Sequence, residues 1–402
     1  MDWSAQIING ATIYDLSIEA IDFARKQYIE KNKKIEAEIL IWDDITFLNK
    51  AKVCIQGKIT KTAILLLGKP ESDHFISPAQ AKISWILKDK ENVEKDYEHF
   101  GCPFILTING VKNKIRNLKY RYIKDGTLFP DEVDQFDPYI IRESLNNSIA
   151  HQDYTLNGKI NVVEREDGVL TFSNPGTFIP ESIEHVIRAD APESRYRNPF
   201  LSNAMVNLNL IDTTGSGIKR MFNIQRSKFF PLPEYDLSKS KVQVSIIGKV
   251  IDENYAKKLA QMHELSLEEI ILLDKVSKLK PIMDDEAKRL KSKLLIEGRK
   301  PNYHISAIVA INTNQKEQYI KNRGFKDEHY KKMILDYIQQ YSSATKVNID
   351  HLILDILPDI LDKQQKENKL SNLLYSMHKK DKTIENKGTS RKARWILSSS
   401  KL

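Results

Sequence analysis

The stretch Tyr139 to Tyr154, YIIRESLNNSIAHQDY, constrains the fold more than any other part of the chain. Ile141, Leu145 and Ile149 recur at four-residue spacing, so they share one helix face, and that face needs a core. Glu143 and Asn147 lie on the opposite side, one turn apart, with their side chains pointing the same way. Such a pair can do specific chemistry. The amide oxygen can ligate Mg²⁺, and the carboxylate can orient or deprotonate a water beside it. Taken alone, E-x-x-x-N reads first as the wet face of an amphipathic helix. The residues downstream of it shift that balance.

Two strands come next. Lys159 to Glu164 and Val169 to Phe172 flank Asp167-Gly168, a hairpin signal. The second runs into Ser173-Asn174-Pro175-Gly176, where Asn before Pro-Gly forces a sharp turn. Arg195-Tyr196-Arg197-Asn198-Pro199 leads into a helix from about Phe200. Asp212-Thr213-Thr214-Gly215-Ser216-Gly217 opens another, IKRMFNIQR, and Lys241 to Gly248 reads as a closing strand. Small residues before a helix let backbone N–H groups approach a phosphate at its positive N-terminus. An ordinary helix start capped by Thr214 fits the same residues.

Upstream, Leu16, Ala20, Phe23, Ala24 and Tyr28 form a helical stripe. Gly57 to Pro70 predicts a short helix with Thr60 as N-cap. G-K-I-T-K-T is no P-loop, because G-x-x-x-x-G-K-[ST] is absent there and elsewhere, which argues against a P-loop helicase motor. AKISWIL and FILTI, rich in β-branched and aromatic residues, read as strands at an edge of the sheet.

The last portion is helix-rich. Leu267 to Leu279 and Asp284 to Leu290 read as helices, followed by a hairpin around Gly298-Arg299-Lys300-Pro301. The order then repeats: helices at Tyr330 to Tyr341, Asn348 to Ile356 and Gln364 to Met377, and a hairpin around Asn386-Lys387-Gly388-Thr389. This is a duplicated fold and not a repeat array.

A hydrophobic content of 41% with 29% charged residues describes a globular chain, and 402 residues suffice for two to four domains. The longest apolar run, near Ala63 to Leu67, cannot span a bilayer, and MDWSAQIING has no secretory pattern. Cys54 and Cys102 lack metal spacing; a cytoplasmic protein with free thiols is the simplest reading. The net charge of +8 matters less than where it lies.

RESLNNSIAHQDY (Arg142 to Tyr154), SNPG (Ser173 to Gly176), RNP (Arg197 to Pro199) and GSGIKRM (Gly215 to Met221) together resemble bacterial transcriptional regulators with a divergent GHKL-type ATPase domain. That domain is often described as related to the C-terminus of an ATP-dependent DNA helicase. The resemblance covers about residues 130 to 250. It implies ATP and Mg²⁺ as cofactors, Glu143 as general base, Asn147 as Mg²⁺ ligand, and a lid at Gly215, Ser216 and Gly217. The family's adenine-reading D-x-G falls on Asn174-Pro175-Gly176, with Asn replacing Asp. An amide oxygen accepts hydrogen bonds as the carboxylate would, but on one side only. A plain strand-ending turn is the competing account of Asn174 and Gly176. Arg197 reads as structural, Lys219 and Arg220 as solvated, and His151 and Asp153 as capping the helix or holding the next strand. Family members usually carry a Schlafen/AlbA-type domain before this region; the expectations here are that the domain is absent, that it is a separately encoded partner, or that this is a partial chain.

The second hairpin carries Lys379, Lys380, Lys382, Lys387, Arg391, Lys392 and Arg394 against only Asp381 and Glu385. A winged helix uses such a wing to neutralise DNA phosphates while its third helix enters the major groove. Gln364, Gln365, Lys366, Asn368 and Lys369 begin that helix. A basic docking wing for protein is the alternative. The first copy, with Glu286 and Glu297 among its basic residues, suits assembly, including a homo-oligomer.

The expected fold is therefore α/β (α+β): an N-terminal helical and strand segment (1–125), a GHKL-like α/β sandwich (126–250) and two winged helices (251–326 and 327–402). The expected function is an ATP-responsive, DNA-binding transcriptional regulator. The alternatives are a Mg²⁺-dependent ATPase in DNA processing or phage defence, and a scaffold with a degenerate pocket. No membrane association is expected.

Overall fold

The computed structural model describes residues 2–122, 131–180, 182–189, 196–211, 216–238, 240–250, 265–313, 315–388 and 393–398. Among the expected site residues, Gly215, Arg391 and Lys392 lie outside these, as does the cap position Thr214. The fold is mixed α+β, and it divides into two compact units, Met1–Ala256 and Lys257–Leu402.

In the first unit, β1 (Cys54–Ile55) and β2 (Lys58–Ile59) form a short hairpin, and β5 (Lys119–Tyr122) pairs with β6 (Asp131–Asp134). The remaining strands are β3 (Ile83–Lys88), β4 (Glu94–Phe100), β7 (Ile160–Arg165), β8 (Val169–Pro175), β9 (Glu234–Asp236) and β10 (Lys241–Ile247). They make one six-stranded sheet in the order β4-β3-β7-β8-β10-β9. Only β3 and β7 pair in parallel, Ile83 opposite Ile160 and Trp85 opposite Val162. A parallel pair needs a long crossover. Here it carries α5 (Phe104–Lys114) and α6 (Pro138–His151) between the two strands. The sheet therefore joins residues on both sides of the 125/126 boundary drawn from the sequence.

Alternation makes one face of the sheet apolar. Ile160 and Val162 on β7, Leu170 and Phe172 on β8, and Val244 and Ile246 on β10 are buried. Helix α6 lays Ile141, Leu145 and Ile149 into the same core, each fully or almost fully buried. A buried side chain of that size stabilises by about 1.5–3 kcal/mol. The β7–β8 turn closes through Gly168 at φ +86°, a conformation glycine adopts without strain.

The helices before the sheet are α1 (Ile18–Lys31), α2 (Glu36–Ile41), α3 (Asp44–Lys50) and α4 (Lys61–Leu67). Thr60 caps α4 as expected, its hydroxyl accepting from the Ala63 N–H at 3.2 Å. FILTI is not a strand as its composition suggests: those residues open α5. Pro103 starts it, and Phe104, Ile105, Ile108 and Val111 form its buried helical stripe, so a β-branched run is helical by its period. AKISWIL is a strand but not an edge; β4, charged along its length and not expected, is the edge strand beside it. The unit is completed by α7 (Ile183–Arg188), α8 (Pro199–Asn207) and α9 (Gly217–Ser227).

The second unit starts with α10 (Leu267–Ser277), α11 (Asp284–Ser292) and the hairpin β11 (Ile296–Arg299) and β12 (Asn302–Ile305). Two helices the sequence did not suggest come after it, α12 (Ala307–Asn312) and α13 (Lys316–Arg323). Then come α14 (Asp327–Tyr341), α15 (Lys346–Ile353), α16 (Lys363–Tyr375) and the hairpin β13 (Ile384–Lys387) and β14 (Arg394–Leu397). Tyr330, Ile334, Ile349, Leu370, Leu373 and Ile384 share a core that ties these last three helices to the hairpin.

Cys54 and Cys102 are free and buried. Burial pushes the Cys54 thiol up to about 12, and burial with the nearby Asp73 charge pushes Cys102 up to about 11. Thiolate is the reactive form. Both cysteines should therefore resist iodoacetamide at pH 8 in the native protein and react together on addition of denaturant. Alkylation of either without unfolding, read by mass spectrometry, would show that the core is not closed around them.

Candidate functional site

A cavity of about 580 Å³ opens between α6 and the apolar face of the sheet. Phe172 and Asn174 from β8, Val242 and Val244 from β10 and Tyr235 from β9 line its sheet side. The register puts Asn174 opposite Val242 and Phe172 opposite Val244, so these four share one face. Helix α6 contributes Glu143, Ser144, Asn147, Ser148 and His151; α8 contributes Pro199, Ser202, Asn203 and Val206; α9 contributes Gly217 and Ile218.

Four of the expected nucleotide-site residues thus meet at one cavity, Glu143, Asn147, Asn174 and Gly217, and His151 lines it too. Glu143 and Asn147 also touch each other, the Asn147 NH₂ donating to Glu143 Oε1 at 3.1 Å. Gly217 lies directly against the carboxylate. A Cβ placed on it would come within 1.7 Å of Glu143 Oε1. This close approach is what the glycine permits, and it brings the first turn of α9 to the carboxylate. Burial and then the Glu143 charge push the Tyr235 hydroxyl above its ordinary value.

Gly176 and Ser216 are not among the lining residues. Gly176 sits at φ +118°, its N–H bonded to the Ser240 carbonyl at 2.9 Å, and its missing Cβ leaves room for Asp153. Arg197 is structural, as its sequence suggests. It donates to Asp153 at 2.9 Å and to the carbonyl and hydroxyl of Thr177, each at 2.9 Å. Asn198, 2% exposed, donates its NH₂ to the Ala150 and Gln152 carbonyls at 3.0 and 2.9 Å. The RNP motif therefore locks the C-terminal end of α6. Arg220 lies over the Tyr139 ring, 3.9 Å from its centroid, and lines no part of the cavity.

Sequence reasoning missed Ser144 and Ser202. Both hydroxyl oxygens are buried without a hydrogen-bond partner among the described residues, and both residues line the cavity. Such an orphan costs about 1–3 kcal/mol, which a polar ligand atom can offset. Ser144 stands in plain view beside Glu143, but only the fold brings Ser202 across from it. The described lining contains no lysine or arginine. Among the described residues no cluster of three or more acidic, histidine or cysteine side chains could hold a metal alone.

In the second unit, Gln364 is exposed and donates to Asn368 at 3.2 Å. Lys366 is half-buried. Lys369 lies 3.5 Å from Asp327 and over the Tyr330 ring. Gln365 is occupied as a cap: its side-chain oxygen accepts from the Asp362 N–H and from Asn302 of the first hairpin. Lys387 and Arg394 face each other across β13 and β14, both exposed.

Residues 159–246 match the family model described as "Putative ATP-dependent DNA helicase recG C-terminal". The match includes every sheet-side lining residue and Gly217 and begins after α6. This part of the chain is similar to that domain. Residues 1–81 match a domain of unknown function, DUF8451. No protein of curated function matches the chain. Among solved structures, the chain is similar to the DIP2311 protein from Corynebacterium diphtheriae, with a TM-score of 0.53 and 15% identity over 99% of this chain and 70% of that one. At that identity the likeness concerns the fold alone. Among the described residues no helix is long and apolar enough to cross a membrane.

Asn198→Ala removes both bonds to α6 and should cost about 2–4 kcal/mol, read as a lower denaturant midpoint. A midpoint unchanged within about 0.5 kcal/mol would mean that α6 does not depend on this lock.

Proposed function

We propose that the cavity binds ATP with Mg²⁺ and that the protein is a DNA-binding transcriptional regulator whose nucleotide state modulates its winged helices. The observation that carries the nucleotide reading is the meeting of Glu143, Asn147 and Gly217 at one end of a mostly apolar cavity. Its volume falls within the range of about 300–1,000 Å³ common for small-molecule sites. A nucleoside suits the apolar part. Asn174 turns its NH₂ to the Pro175 carbonyl at 3.1 Å, which leaves the amide oxygen to accept from a ligand amino group. The orphaned hydroxyls of Ser144 and Ser202 suit further polar atoms of base or ribose. The phosphates belong at the first turn of α9, where N–H groups converge.

Mg²⁺ would neutralise phosphate charge there, with Asn147 supplying one oxygen ligand and the phosphates and waters the rest. The Glu143 carboxylate beside Asn147 and Gly217 supports a second reading, in which it takes a proton from a water: a Mg²⁺-dependent ATPase acting in DNA processing or defence against phage.

Charge supports the DNA side. Residues 257–402 hold 29 lysines and arginines against 19 acidic residues, a net of +10, so residues 1–256 net −2 of the chain's +8. The second unit repeats helices followed by a hairpin, the order of a winged helix, and its last hairpin presents Lys387 and Arg394. The subdivision at 326/327 and the first copy's role in assembly rest on the sequence alone.

Calorimetric titration with ATP and Mg²⁺ tests the nucleotide site. Wild type and Glu143→Gln should bind alike, and turnover, where wild type has it, should vanish in the variant. Binding without turnover in wild type leaves the regulator reading and removes the ATPase one; no binding by either overturns both. For DNA, replacing Lys387, Arg391, Lys392 and Arg394 with Ala should weaken binding and reduce the salt slope by about 0.9 for each phosphate no longer neutralised. An unchanged slope would count against the wing.

A further inference from the structure

Helix α8 forms one wall of the cavity through Pro199, Ser202, Asn203 and Val206. Its own cap position does not serve it, because the Asn198 side chain bonds to α6 instead. The first N–H groups of α8 are satisfied from the far end of the chain. The Asp2 carboxylate accepts from the Phe200 N–H at 2.8 Å, and the Ser4 hydroxyl accepts from the Leu201 N–H at 3.1 Å. Asp2 and Ser4 are also tied to each other, the Ser4 hydroxyl donating to Asp2 Oδ1 at 2.6 Å. The carboxylate stands at the positive end of the helix, where it is favoured.

The other end of α8 is held by the same region. Lys31 donates to the Val206 carbonyl at 2.5 Å, placing a cation at the negative end. Asn207 donates to the Ala51 carbonyl at 3.1 Å. Between these clamps, Trp3 stacks on Tyr154 with ring centroids 4.7 Å apart, and Lys61 lies over Trp3. Tyr154 in turn donates its hydroxyl to the Ile149 carbonyl of α6. Asp2, Trp3, Ser4, Lys31, Ala51 and Lys61 all belong to residues 1–81, the segment that matches a domain of unknown function.

We propose that residues 1–81 act as a clamp on α8, in which Asp2, Ser4 and Lys31 are positioning residues for the ligand cavity. The clamp sets where Ser202 and Asn203 stand relative to Glu143 and Asn147. Ligand binding and the fit of the N-terminal segment are then one equilibrium, and each tightens the other. The role rests on the cavity being the ATP–Mg²⁺ site.

The test uses the full chain, ATP–Mg²⁺ as probe, and two readouts: affinity by calorimetry and hydrogen exchange at the Phe200 and Leu201 amides. In wild type, ATP–Mg²⁺ should slow exchange at both amides. Asp2→Ala and, at the opposite end, Lys31→Met should each weaken ATP–Mg²⁺ binding by about fivefold or more. Asp2→Asn, which keeps an accepting oxygen for the helix, should recover most of the loss. Lys31 is exposed, so its variant gives an answer even where Asp2→Ala fails to fold. If wild type binds ATP–Mg²⁺ but the variants bind equally well and exchange at the two amides does not change, the clamp is only structural and the proposal fails. If wild type itself binds no ATP–Mg²⁺, the nucleotide reading fails and the clamp's role in it goes too.

Discussion

The first unit depends on how the C-terminal end of α6 is fixed. Its last carbonyls are buried and would be left without donors; Asn198 supplies them. Beside that lock, Arg197 grips Asp153 and Thr177, and the Asp153 N–H bonds to the Pro175 carbonyl at 2.9 Å. One junction thus fixes a helix end, a strand end and the start of α8. Glu143 and Asn147 stand two and one turns back along α6, so their positions are inherited from this junction. The apolar stripe of Ile141, Leu145 and Ile149 holds the helix on the sheet, but a stripe alone would let it slide. The polar lock sets the register.

This division of labour explains why the cavity survives as a space. Its sheet side is apolar apart from Asn174 and Tyr235, and its helix side carries most of the polar groups. Gly217 is the point of closest approach. No other residue could bring the first turn of α9 against the Glu143 carboxylate, because even a methyl group would collide with it. A site in which the neighbouring carboxylate and amide of α6 meet a helix terminus from a distant part of the chain is held by packing and not by local sequence alone.

Much of this is legible in the sequence, for reasons that differ by residue. The period of α6 and the Asp167-Gly168 hairpin signal are local, so both can be read directly. Thr60 is recognisable as a cap because capping is local chemistry. Glu143, Asn147, Asn174 and Gly217 can be singled out, although only the three-dimensional arrangement brings them to one cavity. FILTI misleads because its composition suggests a strand while its period is helical; the cap at Pro103 is the signal that distinguishes the two. Edge strand β4 is hidden by its charge, which is how an exposed edge is normally protected. Ser202 cannot be found from sequence at all. It owes its place to α8, and α8 owes its place to residues near the start of the chain, Asp2 and Ser4.

That last dependence has a consequence for how the molecule comes into being on the ribosome. The cap of α8 joins Asp2 to Phe200, and the parallel pairing of β3 with β7 joins Ile83 to Ile160. Neither contact can form until its later partner has been synthesised, and closing such wide loops is slow. The Asp2 contact to α8 therefore stays unmade, and the β7-facing edge of β3 unpaired, until those later segments have been made. Asp2 and Ser4, made well before α8, find their places in this unit only after it.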